Sequence, residues 1–262
     1  MLSNQLRPAK SKSPQARGII LLVLVILAIV AWRLVLQSPT PARPVPLRRL
    51  ASIPSTPEAT RIIAQTAKVY GSCRSYQDAG SVTTTIAGRP QFDSIKPFQT
   101  VFVRPDRFYF TYKTIRGVPK DHYIVWATGK QIHSWWSQEP GINNYTNLED
   151  AMKRPRAFSG GSGQTIPRLL LPQLGGWSLK ELTGVRLVDT EPIAGVVCYK
   201  LEGSNKYHDT VTVWIAKESY LILKLLQVGQ IQGAEARTAE VFTPQINKPV
   251  NEEVFTSGPP KA

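Results

Sequence analysis

The sequence lacks the motifs of common catalytic and metal sites. Its three histidines stand apart, without an HExxH pattern or cysteine partners, so no zinc site is expected. The glycine-rich segment 160–165 lacks the lysine of a phosphate-binding loop, and no GxSxG motif of a serine hydrolase occurs. The sequence therefore predicts a protein that is not an enzyme and that uses no metal or cofactor.

Acidic residues are missing from the first 57 positions, although that segment holds eight lysines and arginines. The remaining 24 basic and 18 acidic side chains leave a net charge of +6, so more than half of the total of +14 lies near the N-terminus. Basic residues that bracket an apolar run are typical of membrane topology rather than of nucleic-acid binding. No nucleic-acid partner is expected.

The apolar run starts as GIILLVLVILAIVAW and extends over residues 18–36. A helix of this length is about 28 Å long, close to the ~30 Å hydrocarbon thickness of a bilayer. A cleaved signal peptide is the alternative, but neither a small-residue cleavage site nor a lipidation cysteine follows the run. We therefore expect a basic cytoplasmic tail (1–17), a transmembrane signal anchor (18–36), a proline-rich linker (37–55) and an exported domain (56–260).

Only two cysteines are present, Cys73 and Cys198, and both belong to the exported part. An even number of cysteines in an oxidising compartment permits one disulfide, which we expect between them. The alternative is two small buried thiols, and spacing along the chain does not decide between the two.

The exported domain alternates between helical and strand patterns. A helix is predicted over residues 55–71, because Ser55 and Glu58 have the spacing of a capping box and apolar residues recur at helical intervals. Four or five strands follow, with turns at 104–107 and 128–130, then two short helices capped by Asn147 and Thr165, then five more strands. This order predicts an α+β domain in which a strongly curved antiparallel sheet holds helices on its concave side.

The segment TVTVWIAKESYLILKLLQVG (210–229) predicts two strands around a turn at 216–219. The first strand alternates cleanly, but the second is apolar on both faces, and a strand of that kind needs cover on both sides. Alternation places Leu221, Leu223 and Leu225 on one face, and Tyr220, Ile222, Leu226 and Val228 on the other. Periodicity leaves open which of the two faces lines the concave side.

Three local patterns carry a family resemblance. RPDRFYF places a proline turn before an aromatic strand, GVVCYKLEG…VTVWIAKESYLILKL joins a tryptophan-containing strand to an apolar one, and VFTPQINKPVNEEVFTSGPP follows a final strand with prolines and a phenylalanine. Over residues 56–260 the chain resembles the outer-membrane lipoprotein carriers, the LolA/LolB-like superfamily. The resemblance implies an open half-barrel whose apolar concave side is closed by lid helices and receives acyl chains or other hydrophobic ligands.

With the anchor, the resemblance implies a bacterial inner-membrane protein with a single pass, its N-terminus in the cytoplasm and its domain in the periplasm. Carriers of this superfamily are free in the periplasm or anchored as lipoproteins, so a helical tether is a departure that argues against free shuttling. The leading interpretation is a membrane-anchored protein that binds a lipid or a lipoprotein acyl chain. The alternative is an interaction or sensor module that contacts another envelope protein and fills its cavity with its own side chains.

Candidate cavity residues come from the helices and from the sheet, and for any single one of them ordinary core packing is the more common role. They are Ile62 and Ile63 of the first helix, Leu169, Leu170 and Leu171 of a later helix, and Phe108, Phe110 and Leu223 of the strands.

Overall fold

A computed structural model describes residues 54–256 and 258–259 of the chain. The predicted cytoplasmic tail, the membrane anchor and nearly all of the linker lie outside these residues. Within them, no helix is both long and apolar enough to cross a membrane. The structure therefore bears on the segment that the sequence predicts to be exported.

Three α-helices and three 3-10 helices occur in the described part of the chain. The α-helices are α1 (Pro57–Ser72), α2 (Leu148–Phe158) and α3 (Thr165–Leu170). The 3-10 helices are η1 (Pro90–Phe92), η2 (Leu179–Glu181) and η3 (Glu252–Phe255).

Helix α1 begins one residue later than the capping-box pattern predicts. Thr56 is the cap, and its Oγ1 accepts a hydrogen bond from the backbone N–H of Ala59 at 3.4 Å. The Ser55 hydroxyl accepts instead from the backbone N–H of Val185 at 3.0 Å. The start of α1 is thereby fixed to the start of a distant strand, a tertiary contact that a local capping pattern does not reveal.

The other two helix starts agree with the sequence to within one residue. Asn147 caps α2 as predicted, because its Oδ1 accepts from the backbone N–H of Asp150 at 2.9 Å. Pro155 does not end this helix, which continues to Phe158. Thr165 is the first residue of α3 rather than its cap.

Twelve strands form one antiparallel sheet in the described residues. In spatial order they run β6-β5-β4-β3-β2-β1-β11-β10-β9-β8-β7, with β12 beside β1. The outermost strands β6 and β7 do not pair with each other, so the sheet is open and fits a half-barrel. The strands are β1 (Ser75–Ile86), β2 (Ser94–Val103), β3 (Arg107–Lys113), β4 (His122–Thr128), β5 (Gln131–Trp136), β6 (Glu139–Tyr145), β7 (Thr183–Ile193), β8 (Val196–Ser204), β9 (Thr210–Ala216), β10 (Ile222–Ile231), β11 (Ala234–Phe242) and β12 (Gln245–Ile246).

Strand β6 is a sixth strand before the short helices, where the sequence predicts four or five. Its sequence, EPGINNY, contains a proline and a glycine and is almost entirely exposed. These residues are poor strand formers, and proline is tolerated in a sheet chiefly at an edge. Pairing with β5 makes this segment a strand, and that pairing is a tertiary effect.

The strand connections fall at two opposite ends of the sheet, as antiparallel pairing requires. The β1–β2, β3–β4, β8–β9 and β10–β11 connections lie at one end, which we name the β3–β4 end. The β2–β3, β4–β5, β7–β8 and β9–β10 connections lie at the other, the β2–β3 end.

The hydrophobic core lies between the three α-helices and one face of the sheet, which we name the inner face. Alternate residues of every central strand point into it, as a period of two requires. The largest side chains with almost no exposure in this core are Tyr70, Tyr76, Tyr112, Tyr123, Phe102, Phe108, Phe110, Ile62, Met152, Ile166, Leu170 and Leu201.

A β-bulge breaks the alternation of strand β10, between Ile222 and Lys224. Ile222 and Leu225 are both buried in the core although they are three residues apart. Leu223 is the extra residue of the bulge and lies half-buried outside the core cluster. Both groupings predicted for this strand are therefore wrong, because a bulge shifts the side-chain period by one residue.

The outer face of this hairpin is covered by charged side chains rather than by another layer. The Trp214 ring lies between two lysine ammonium groups, with Lys224 at 4.6 Å and Lys200 at 5.5 Å from its centroid. Its indole N–H donates to Glu191 at 2.7 Å, and Glu191 pairs with Lys200. Lysine stems thus shield the Trp214 ring on the outer face of β9 from water.

The bulge predicts a sharp contrast between two neighbouring leucines. Leu225→Ala removes a side chain that is 1% exposed and will cost about 2–5 kcal/mol of unfolding free energy. Leu226→Ala, on the partly exposed outer face, will cost less than about 1 kcal/mol. Urea denaturation of the two variants checks this, and equal losses would contradict the assigned register.

Candidate functional site

A closed apolar pocket lies on the inner face beneath α1 and η2. Its lining side chains pack so closely that no water molecule fits between them. Gly203 permits this close packing, because a Cβ at that position would lie 2.9 Å from the Val185 Cγ2. The pocket is lined by Ile63, Leu179, Leu182, Val185, Leu201, Gly203, Val211, Val213 and Ile215.

An open groove of about 240 Å³ adjoins this pocket between α1 and η2. Four residues line both spaces and form the wall between them: Ile63, Leu179, Leu182 and Val185. We name these four residues the gate; each is buried, with at most 8% of its surface exposed. The arrangement is a groove that leads to an apolar space behind a closed apolar wall.

The η2 side of the gate is weakly attached to the rest of the domain. Ser178 caps this short helix, with its Oγ accepting from the backbone N–H of Lys180 at 3.3 Å. A partly exposed ion pair joins Glu181 to Arg168 of α3 at 2.9 Å. Surface ion pairs contribute only about 0–1 kcal/mol, so little beyond its leucines holds η2 in place.

The opposite end of the lid is clamped by one guanidinium group. Arg104, in the β2–β3 turn, donates to the backbone carbonyls of Cys73 at 2.8 Å, Tyr70 at 3.1 Å and Leu170 at 3.0 Å. These bonds fix the ends of α1 and α3 to the sheet at the β2–β3 end. The lid is thus held firmly at one end and loosely at η2.

Most of the predicted cavity residues lie in the packed core rather than around an open space. Ile63 lines both the pocket and the groove. Ile62, Phe108, Phe110 and Leu170 are at most 1% exposed, Leu169 and Leu171 are each 7% exposed in the same core, and Leu223 lies in the β10 bulge. Their contact with a ligand stays a prediction.

Sequence reasoning missed the other residues of the gate. Leu179 and Leu182 belong to the stretch WSLKELTGV, which follows a glycine-rich segment and forms a 3-10 helix of only three residues. The available sequence signal for these gate residues was a pair of leucines, three residues apart, beside a strand. Such a short segment has no periodicity that distinguishes a lid from a loop.

Glu240 is the most deeply buried carboxyl group of the described residues. It lies on the inner face of β11, where its Oε1 accepts from the Thr165 hydroxyl at 3.3 Å and its Oε2 has no hydrogen-bond partner. Gly161 lies directly over it, since a Cβ there would collide with the carboxyl. Burial raises the pKa of Glu240 to about 8, so the group is mostly protonated at neutral pH.

Asp78 is a second buried carboxyl group on the same face. Its Oδ2 accepts from the Tyr76 hydroxyl at 2.8 Å and its Oδ1 from the backbone N–H of Thr100 at 3.0 Å. Burial raises the pKa of Asp78 to about 7, against the lowering effect of these hydrogen bonds. Neither carboxyl lines the pocket or the groove, so both bear on the stability of the covered face.

The two cysteines are free thiols in the structure, and the expected disulfide is not formed. The Cys73 thiol donates to the Tyr70 carbonyl at the end of α1, and the Cys198 thiol to the Val196 carbonyl within β8. Both side chains are buried, and burial raises the pKa of each thiol. The two cysteines therefore match the alternative expectation, which is two small buried thiols.

The architecture defines a class: an open antiparallel half-barrel with lid helices over its inner face and an apolar pocket beneath them. Residues 99–262 match a family described as predicted periplasmic proteins (DUF2092), and the chain belongs to this family. No curated protein matches the sequence significantly.

Several solved structures are similar to this chain. The lipoprotein LppX of Mycobacterium tuberculosis is 16% identical with a TM-score of 0.44, over 75% of this chain and 99% of its own. LprF of Mycobacterium bovis is 11% identical with a TM-score of 0.46, over 76% and 97%. A LolA superfamily protein of Nitrosomonas europaea is 10% identical with a TM-score of 0.32, over 76% and 97%.

A LolA superfamily protein is thus among the matched structures, as the three sequence patterns imply. Because the identities are low and the TM-scores lie below 0.5, none of these similarities carries an argument about a ligand or a partner. Any such argument has to come from the pocket, the gate and the surface of this chain.

Substitution of Glu240 by glutamine will weaken the pH dependence of stability. The folded pKa of about 8 lies above the ordinary value of 4.5, so the unfolded chain loses this proton first as pH rises. The contribution of Glu240 is therefore full below about pH 4.5 and is lost progressively toward pH 8, by an amount on the order of a few kcal/mol.

Urea denaturation at pH 5 and pH 8.5 tests this expectation. The wild-type protein will lose more stability between the two values than Glu240→Gln does. Glu235→Gln, at an exposed position of the same strand, is the control and will behave like wild type. Equal pH dependence of Glu240→Gln and the wild-type protein would rule out Glu240 as the source.

Proposed function

We propose that the protein binds an elongated hydrophobic ligand, such as a lipid or a lipoprotein acyl chain, in the periplasm and performs no catalysis. The observation that carries this proposal is the apolar pocket that the gate separates from an open groove. A tail that passes the gate enters an apolar space. The polar end of the ligand stays in the groove, beside Ser55, Thr60 and Lys180.

Binding requires the gate to open, because the pocket in its closed form is too narrow for a ligand. Displacing η2 exposes Leu179 and Leu182, which costs about 3–6 kcal/mol if each leucine is worth about 1.5–3 kcal/mol when buried. Each methylene group of a ligand returns about 0.8 kcal/mol on burial, so about four to eight methylenes offset the opening. Long acyl chains are therefore favoured over short ones.

A second candidate function is supported by a different observation. The inner face beyond the pocket is filled by the chain's own aromatic and aliphatic side chains, many of them fully buried. A self-filled half-barrel is suited to an envelope interaction or sensor module that uses its surface and leaves its core closed. Uptake of a hydrophobic ligand distinguishes this function from the first.

The proposed location is the inner membrane, with the segment 18–36 as an uncleaved anchor and the proline-rich segment 37–55 as a spacer. N-terminal sequencing of protein recovered from the membrane fraction tests this part. We expect the chain to retain the basic residues that precede Gly18. A mature chain that begins near Ser38 would contradict the anchor and indicate a cleaved signal peptide.

Two substitutions with opposite effects test the pocket. Val213→Phe adds a ring among the lining side chains of the pocket and will reduce the uptake of a fluorescent long-chain fatty acid. Leu182→Ala shortens a gate residue and will increase the rate of uptake, at a cost of about 2–5 kcal/mol in stability. Leu174→Ala, in the core but outside the pocket lining, is the matched control for lost stability.

Native mass spectrometry of the detergent-free protein, with lipid extraction, provides the independent measurement. A bound lipid that Val213→Phe loses and Leu174→Ala keeps supports the pocket. If the wild-type protein carries no lipid and takes up no fatty acid, the result would contradict the proposal of ligand binding and favour the interaction module.

A further inference from the structure

Large exposed hydrophobic side chains concentrate at the β3–β4 end of the sheet. Val118 is 75% exposed and Tyr207 is 70% exposed, each at the tip of a strand connection. Such side chains normally face the core, and isolated exposed ones need no explanation, but a set at one end does. The set comprises Phe92, Ile115, Val118, Phe158, Tyr207 and Ile231. We name these six residues, together with the basic residues that lie among them, the rim.

The tips that carry these side chains are joined to one another. Arg89 of the β1–β2 connection donates to Gln232 of the β10–β11 turn at 3.0 Å. The backbone N–H of Ile115 donates to the carbonyl of Ile95 at the start of β2, at 3.0 Å. Lys96 donates to the carbonyl of Phe158 at the end of α2. The rim is therefore a connected edge of the domain.

Basic side chains of the rim are exposed, and most of the nearby carboxylates are bonded within the fold, whereas Glu235 is exposed and pairs with Arg237 at 2.8 Å. Arg116 and Lys120 are exposed, as is Lys206 beside the Tyr207 ring. The nearby acids are bonded within the fold: Asp121 is buried and accepts from the Tyr112 hydroxyl at 2.7 Å. Likewise, Asp93 accepts from the backbone N–H of Ile86 and lies 3.9 Å from the Arg116 guanidinium, and Asp209 accepts from Asn205 and Gln227. The rim thus presents positive charge between apolar tips.

The described chain also begins at this end of the sheet. The backbone N–H of Thr56 donates to the Val185 carbonyl at 2.8 Å, near the start of β7, and the described residues begin at Pro54. The start of β7 lies at the β3–β4 end, since β7 pairs with the end of β8 there. The preceding segment therefore joins the domain at the end that carries the rim.

We propose that the rim docks on an anionic lipid surface. Apolar tips enter the headgroup region, and the basic side chains between them attract anionic lipids, with each lysine or arginine near the surface adding a favourable term. The apolar side chains stand singly on separate tips instead of forming one continuous patch. A fluid interface accepts separate anchors, whereas a protein partner needs a continuous complementary surface.

Spin labels on the full-length protein test the proposal. Val118→Cys and Tyr207→Cys each place a label on the rim, and Val197→Cys places one at an exposed valine of the β2–β3 end. Wild-type protein is the labelling blank, because both of its thiols are buried. The proteins are reconstituted in vesicles that contain phosphatidylglycerol or phosphatidylcholine alone, and collisions with oxygen and with a water-soluble nickel chelate are measured.

We expect the two rim labels to gain collisions with oxygen and lose collisions with the chelate in phosphatidylglycerol vesicles, while the label at 197 stays in water. In the double variant Lys120→Glu, Lys206→Glu, the equilibrium constant for docking will fall about fivefold for each lysine replaced. Lys130→Glu, an exposed lysine at the β2–β3 end, is the control and will leave it unchanged.

Two outcomes overturn the proposal. In the first, the rim labels are as accessible to the chelate as the label at 197 in phosphatidylglycerol vesicles. In the second, the rim labels are shielded from both reagents in either lipid, which indicates a protein contact. Because these labels lie outside the pocket and the gate, the result is separate from ligand binding.

Discussion

The need to cover the apolar inner face of an open sheet governs the structure. Eleven strands in one continuous layer present aromatic and aliphatic side chains on that face, and no second sheet packs on them in the described residues. Three short helices and the 3-10 helix η2 provide the cover. The cover is thinnest where η2 replaces a full helix, and the apolar pocket lies beneath that place.

Polar contacts attach one part of this cover more firmly than the other. The Arg104 guanidinium bonds three carbonyls at the ends of α1 and α3, and the Tyr70 hydroxyl accepts from the backbone N–H of Ile222 beside the β10 bulge. The Tyr70 bond is buried and the Arg104 bonds are partly buried, so breaking them is costly because each leaves an unsatisfied group. The gate at η2 has apolar contacts and one surface ion pair. Opening at η2 is therefore cheaper than opening at the clamp.

The sequence was sufficient for elements with strong local signals. Asn147 caps α2 as predicted, the turns at 104–107 and 128–130 connect hairpins, and the antiparallel sheet with helices follows from the order of elements, while its openness was implied by the family resemblance. Elements set by tertiary contacts were missed. Strand β6 depends on its pairing with β5, and the β10 bulge brings Ile222 and Leu225, which alternation assigns to opposite faces, into the same core.

The candidate site was less predictable than the fold, for a physical reason. Hydrophobic residues that line a pocket and those that fill a core share the same composition and periodicity, so Ile62 and Ile63 were equal candidates. The structure separates them, because Ile62 is fully buried and Ile63 lines the pocket and the groove. A cavity is a property of the packing between elements, and no single segment encodes it.

The groove and the rim are related through the sheet. The groove includes Ser55, whose hydroxyl bonds the backbone of Val185 near the start of β7, and that strand starts at the β3–β4 end. A domain docked by its rim therefore turns the mouth of the groove toward the same end as the lipid. An acyl chain then has a short path from bilayer to gate, and it avoids the cost of about 0.8 kcal/mol for each methylene exposed to water. Docking at the membrane would thus favour ligand entry, although docking and entry depend on different residues.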